Sequence, residues 1–208
     1  MTAITTTATA RVYRTLGEVY LEPPTADQLD ALGEWADAWL THADGTLPAN
    51  VESPLETIRE TDRDDVEDVS PAFPRLFRGL SEASPDPPYE SLYREGTIYG
   101  ASTTAVRNEY REAGLDITDD DEHEPADHVG IELQFLGELR AREASGDVES
   151  VERQRTFIRD HLEQWFGEFK AAVLQSNPPE HYAAVVRLTD AVLSAESERL
   201  EVVVTETA

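Results

Sequence analysis

The sequence contains no cysteine, a single lysine, and no apolar run near the roughly 20 residues of a membrane-spanning helix. Without cysteine there are no disulfides, thiolate metal sites or cysteine nucleophiles. Lys170 stands beside 16 arginines, and no Gly-x-x-x-x-Gly-Lys stretch occurs, so a phosphate-cradling loop has no support. No serine sits in a Gly-x-Ser-x-Gly setting, which removes the commonest serine-hydrolase signature. Basic residues number 17 against 43 acids, and they form no patch able to neutralise phosphates, which argues against nucleic acid. The opening "MTAITTTATA" lacks the charged start and long apolar centre of a secretory signal. These absences predict a cytoplasmic protein without stable membrane insertion.

What is present is acid. The net charge is -26 and the pI about 4.3, with acids spread along all 208 residues. An acidic, lysine-poor surface stays hydrated in concentrated salt, where screening has removed long-range repulsion. The composition therefore predicts a halophilic cytosol, such as that of a haloarchaeon. An acidic partner-binding face is the other reading.

Apolar periodicity is helical almost throughout. Val12, Leu16, Val19 and Tyr20 share one face and end at Pro23-Pro24. Thr25 fits an N-cap, followed by Leu29, Leu32, Trp35, Ala36, Trp39 and Leu40 at spacings of three and four. A weaker helical stretch begins near Pro54. "SPAFPRLFRGL" places Phe73, Leu76, Phe77 and Leu80 at helical spacing. The proline-rich "SEASPDPPYESLYREGT" carries Tyr89, Leu92 and Tyr93 on a loop long enough to be packed or used. Further helices are expected from about Tyr99 to Ala113, Pro125 to Ala144, Val148 to Leu174 and Pro179 to Glu201. Only "EVVVTETA" approaches strand alternation. The expected fold is all-α: a single helical domain over residues 9–201 with a long mid-chain connector, a disordered 1–8 and a C-terminal tail at 202–208.

The run "DDDEHEPADHVGIELQFLGEL" sets acids, two histidines and a proline against an apolar helical pattern. As a metal site, Glu124, His128 and Glu132 at i, i+4 and i+8 would share a helix face. Helical di-metal sites, however, need paired Glu-x-x-His sets, and Asp127 stands where a zinc protease has its second histidine. As a helix start, Pro125 suits the first position and the acids offset the dipole, whereas a cationic His128 does not fit.

A third reading is a resemblance. "EPADHVGIELQFL" resembles the Glu-x-Pro-Asp-His-x-x-x-Glu-Leu signature of the TorD/DmsD family of molybdoenzyme assembly chaperones. "ARVYRTLGEVYLEPP", "FPRLFRGL" with "PPYESLYREG", "VRNEYREAGL" and "FIRDHLEQWFGEF" are similar to its other motifs, in order, over roughly residues 10 to 195. Departures are Pro74 within the aromatic-Arg-Leu-Phe run, the extra Ala126, and an unusually acidic loop before Glu124.

The resemblance implies an all-helical, non-enzymatic cytosolic chaperone with no cofactor, no metal and no catalytic residues. Such a chaperone binds the twin-arginine signal peptide of a molybdenum oxidoreductase, and its body, until the cofactor is inserted. A DMSO- or TMAO-reductase-like client is expected; a nitrate-reductase-type assembly factor is the close alternative. A helical metal-dependent enzyme using Glu124, His128 and Glu132, or a structural subunit, are the readings of another class. The implied peptide site sets the acids Glu124, Asp127 and Glu132 beside an apolar groove of Tyr20, Leu76, Phe77, Tyr89 and Tyr93, with His128 orienting Asp127. Leu76 and Phe77 read equally well as core, Tyr89 and Tyr93 as pins for their loop, and Trp35, Trp39 and Trp165 as core. The long connector permits a domain-swapped homodimer as well as a monomer.

Overall fold

A computed structural model describes residues 6–43, 47–80, 84–115 and 124–207. The expectations for residues 1–5, for Gly45 and for the acidic connector at 116–123, His123 included, lie outside the described residues. Helix α1 spans Thr6–Val19, α2 Ala26–His42 and α3 Ala49–Glu60. A 3-10 turn at Arg63–Asp65 leads into α4 (Val66–Val69), a second turn at Ser70–Ala72 and α5 (Phe73–Phe77). Then come α6 (Glu90–Glu95), α7 (Ala101–Glu112), α8 (Val129–Ala144) and α9 (Glu149–Phe157). One π turn, Ile158–Leu162, joins α9 to α10 (Glu163–Gln175), and α11 runs Glu180–Thr207. The architecture is all-α; among the described residues no helix is long and apolar enough to cross a membrane.

Local chemistry explains most boundaries. Thr25 caps α2 in a reciprocal capping box with Gln28. Pro74 falls in the first turn of α5, where a missing N–H costs nothing, so the departure at this position is absorbed by a fresh helix start. Helix α3 begins five residues before Pro54 and continues through it. Residues 202–207, read as tail and as the nearest approach to a strand, continue α11. Trp165 is buried, but Trp35 and Trp39 are only half-buried and meet edge to face at 5.4 Å.

The chain divides into two compact units. The first comprises residues 1–18, 88–168 and 196–208. Within it α1 and α8 touch backbone to backbone. A Cβ on Gly17 would lie 2.6 Å from the Gly130 carbonyl oxygen, and one on Gly137 would lie 3.0 Å from that of Ala10. Phe135 packs between Tyr110 and Phe157, at centroid distances of 4.6 and 4.8 Å. Buried Arg140 pairs with Glu143 (2.6 Å), which also receives Arg199 (3.0 Å).

The second unit comprises residues 19–87 and 169–195. Its core is aromatic: Phe77 meets Tyr20 at 5.4 Å, Phe73 at 5.1 Å and Tyr182 at 5.1 Å, edge to face in each case. Arg75 donates to the Ser176 carbonyl (3.0 Å) and Arg78 to that of Leu21 (2.6 Å).

Candidate functional site: a buried carboxyl cluster

The segment before α8 is not helical. Pro125 opens a turn in which its carbonyl accepts the His128 N–H (3.0 Å), and the helix starts only at Val129. Pro125 is therefore not the first helical residue, and the expected start at that position is corrected by four residues. His128 is the N-cap: its Nδ1 accepts the Gly130 N–H at 3.0 Å. A ring nitrogen that accepts cannot carry a proton, so this geometry demands the neutral tautomer protonated at Nε2, which removes the conflict with the helix dipole. Glu124 and His128 precede the helix that carries Glu132, so the shared i, i+4, i+8 face of the metal reading does not form. No group of residues suited to a metal ion occurs among the described residues.

Asp127 caps a different helix. Its carbonyl accepts the Glu90 N–H (3.0 Å) and its Oδ2 accepts the Ser91 N–H (2.8 Å), so it satisfies two orphan donors at the start of α6. Val129 N–H donates to the Pro88 carbonyl (2.9 Å), and Tyr89 and His128 form an isolated antiparallel bridge. The starts of α6 and α8 are thus tied by backbone bonds, with Asp127 and His128 each closing one helix. Tyr89 reinforces the junction. Its ring meets that of His128 at 5.4 Å and its hydroxyl donates to Glu124 at 2.6 Å. Tyr110 donates to the Ala126 carbonyl at 2.8 Å.

Three fully buried carboxyls gather behind this junction: Glu90, Asp127 and Glu132. Glu90 is compensated, receiving Arg94 on Oε1 and His161 Nδ1 on Oε2 (2.8 Å). Asp127 has the Ser91 N–H on Oδ2, while Oδ1 has no hydrogen-bond partner. Glu132 lies within hydrogen-bonding reach of Glu90 and of the Trp165 indole. Burial pushes the Glu132 carboxyl well above the usual carboxylate range, and the charges of Glu90 and Asp127 push it further. Burial likewise raises the Tyr110 phenol, helped by the charges of Glu132, Asp127 and Glu90.

The residues expected at a peptide site divide between the two units. Asp127, His128, Glu124, Glu132, Tyr89 and Tyr93 all lie in the first. Tyr93 packs against Trp165 at 5.5 Å. Tyr20, Leu76 and Phe77 lie in the second, where each is wholly buried and Tyr20 bonds Thr189 (2.9 Å). In this structure those three are core. His128 contacts the backbone of its own helix, so its first task is capping.

Two members of the cluster went unread in the sequence: Glu90 and His161. In "PPYESLYREG", Glu90 and Arg94 look like a surface i, i+4 pair on a proline-broken loop. His161 sits in the π turn, where one extra residue per turn brings Ile158, His161 and Leu162 inward together.

The family described as nitrate reductase delta subunit matches residues 24–171. The Tat proofreading chaperone DmsD of Salmonella typhimurium is 28% identical over 189 residues, covering 87% of this chain and 85% of that protein. The chaperone protein TorD of Aeromonas salmonicida is 31% identical over 134 residues, 61% of this chain and 60% of its own length. The chaperone protein TorD of Escherichia coli is 26% identical over 210 residues, covering 96% of this chain and all of that protein.

Proposed function

The chain belongs to the nitrate reductase delta subunit family, and from that premise we propose that it is a chaperone for a molybdopterin oxidoreductase precursor. It binds the precursor's twin-arginine signal peptide, its body, or both, and holds it back from export until the cofactor is inserted. The observation that carries this reading is the near full-length similarity to proteins named as chaperones, one of them for Tat proofreading. The client in this reading is a DMSO- or TMAO-reductase-like enzyme.

The site chemistry supports it. Three buried carboxyls share one guanidinium, that of Arg94, and the imidazole of His161, an arrangement that favours a further cation. Glu124 is half-buried and accepts the Tyr89 hydroxyl. The reading assigns no catalytic residue, metal or cofactor to the chain, and its acid excess suits a potassium-rich cytoplasm. The family's description also favours a second reading, an assembly factor for a nitrate-reductase-type subunit that binds the body alone.

The test is reconstitution with a purified apo-precursor, supplied with and without its signal segment, in molar potassium chloride. Complex formation that disappears after cofactor insertion supports the chaperone reading. Binding that needs the signal segment selects the first client class, and binding indifferent to it selects the second. A complex that persists unchanged on the mature enzyme would make the chain a structural subunit instead.

A further inference from the structure

Within the second unit, α3 packs chiefly on α2, and an open cleft of about 350 Å3 is left between α3 and α11. Small-molecule sites occupy roughly 300–1,000 Å3. We propose that this cleft binds a small amino acid, with its carboxylate held by Arg187 and its ammonium by Asp190.

Both residues line the cleft from α11. Arg187 is exposed and, among the described residues, makes no ion pair or hydrogen bond. A free guanidinium is unexpected in a chain of 43 acids and 17 bases. It is more so because Asp190 stands one turn on, at the spacing that pairs Arg140 with Glu143 and Arg199 with Glu196. Asp190 turns instead to Lys170 of α10, the chain's single lysine, and meets its ammonium through Oδ2 at 2.6 Å. Its Oδ1 takes no hydrogen bond among the described residues. One wall of the cleft thus offers an uncommitted guanidinium fork and an uncommitted carboxylate oxygen a helical turn apart.

The other wall adds matching groups. Asn50, Ser53 and Pro54 of α3 line it. Pro54 has no N–H, so it cannot supply the helical bond that the Asn50 carbonyl would accept. The Ser53 hydroxyl and the Asn50 amide are further donors. Ala184, Ala191 and Pro54 give the cleft an apolar surface for a ligand's carbon body.

These groups select the ligand. The Arg187 fork fits a carboxylate. A phosphate dianion would bring its second charge against Asp190. A simple carboxylic acid would leave Asp190 Oδ1 without a donor, and a simple amine would leave Arg187 unpaired. A molecule with both groups on one carbon meets both.

Heteronuclear NMR titration of the full chain in molar potassium chloride tests this through the amides of Asn50, Ser53, Ala184 and Ala191. Three probes share one carbon skeleton: L-leucine, isocaproate, which lacks the amine, and isoamylamine, which lacks the carboxylate. Leucine should shift these amides saturably, and each single-group analogue should bind about tenfold or more weakly. Arg187→Gln should reduce leucine to the affinity of isoamylamine, and Asp190→Asn should reduce it to that of isocaproate. Thermal transitions verify that both variants fold. Leucine binding unchanged in Arg187→Gln overturns the site. Equal affinity for leucine and isocaproate overturns the pairing of Asp190 with an amine, and with it the ligand class. No saturable shift with any of the three probes overturns the proposal and leaves the cleft a hydrated groove.

Discussion

Replacing Asp127 separates capping from charge. In Asp127→Ala, the Ser91 N–H loses its only side-chain acceptor, the Oδ2 at 2.8 Å, in a place where Ser91 has no exposed surface. A buried donor left unsatisfied costs about 1–3 kcal/mol. A central value of about 2 kcal/mol corresponds, for a chain of this size, to a melting point lower by about 4–8 °C. The same change also removes a negative charge that pushes Glu132 upward, which returns part of the loss. Asp127→Asn keeps a carbonyl oxygen for the Ser91 N–H. Its amide also donates where Oδ1 now has no partner, amid carboxyl oxygens. Asn should therefore stay within about 1 kcal/mol of wild type. Urea unfolding followed by circular dichroism in molar potassium chloride reads both, with an unchanged denaturant slope as the check that the unfolded states are comparable. Equal losses in Ala and Asn would refute the assignment of Asp127 as a cap for α6, and so would an Ala variant as stable as wild type.

Three other residues carry equally direct expectations. His181 is 3% exposed and burial lowers its pKa from 6.5 to about 4. The unfolded chain thus takes up that proton first; stability is full above about pH 6.5 and falls by about 3 kcal/mol as pH drops to 4. His181→Gln should flatten that part of the pH-stability curve, and an unchanged curve would contradict a neutral buried ring. Gly17→Ala would set a Cβ 2.6 Å from the Gly130 carbonyl oxygen, so α1 and α8 must part, at a cost of about 1–3 kcal/mol in chemical unfolding. Alanine tolerated there would contradict the backbone contact. Tyr20→Phe should lose only about 1 kcal/mol, because Thr189 keeps its bond to the Val185 carbonyl (2.9 Å). A larger loss would mean that the hydroxyl does more than meet Thr189.

The helical architecture was legible because one force dominates it: apolar residues at three- and four-residue spacing, punctuated by Thr25, Pro23-Pro24 and Gly114. Helix starts were less so. Pro125 satisfies every local criterion for a first helical position, yet the chain uses its carbonyl to turn, because Asp127 is drawn to the start of α6 thirty-odd residues earlier. That competition is tertiary and has no trace in a local window. The acids of the site were readable through the Asp127-His128 motif, but their state was not. Charged residues at a helix start normally face water, and only the fold reveals that Glu132 and Glu90 are wholly buried. Leu76 and Phe77 illustrate the converse, since helical spacing is the same for a groove and for a core, and here it is core.

Because Asp127 and His128 both hold helix ends, changing them disturbs structure and binding together, and the peptide is the better partner to vary. The most direct test of the chaperone reading is calorimetric titration of the wild-type chain, in molar potassium chloride, with signal peptides from the same organism's molybdoenzymes. Each peptide is compared with a version in which the arginine pair is replaced by lysines. Saturable binding of one native peptide is expected, weakened at least tenfold by lysine, because a compact ammonium lacks the planar fork that pairs with a carboxylate through two parallel bonds. Equal affinity for native and lysine-replaced peptides would contradict arginine recognition at the carboxyl cluster.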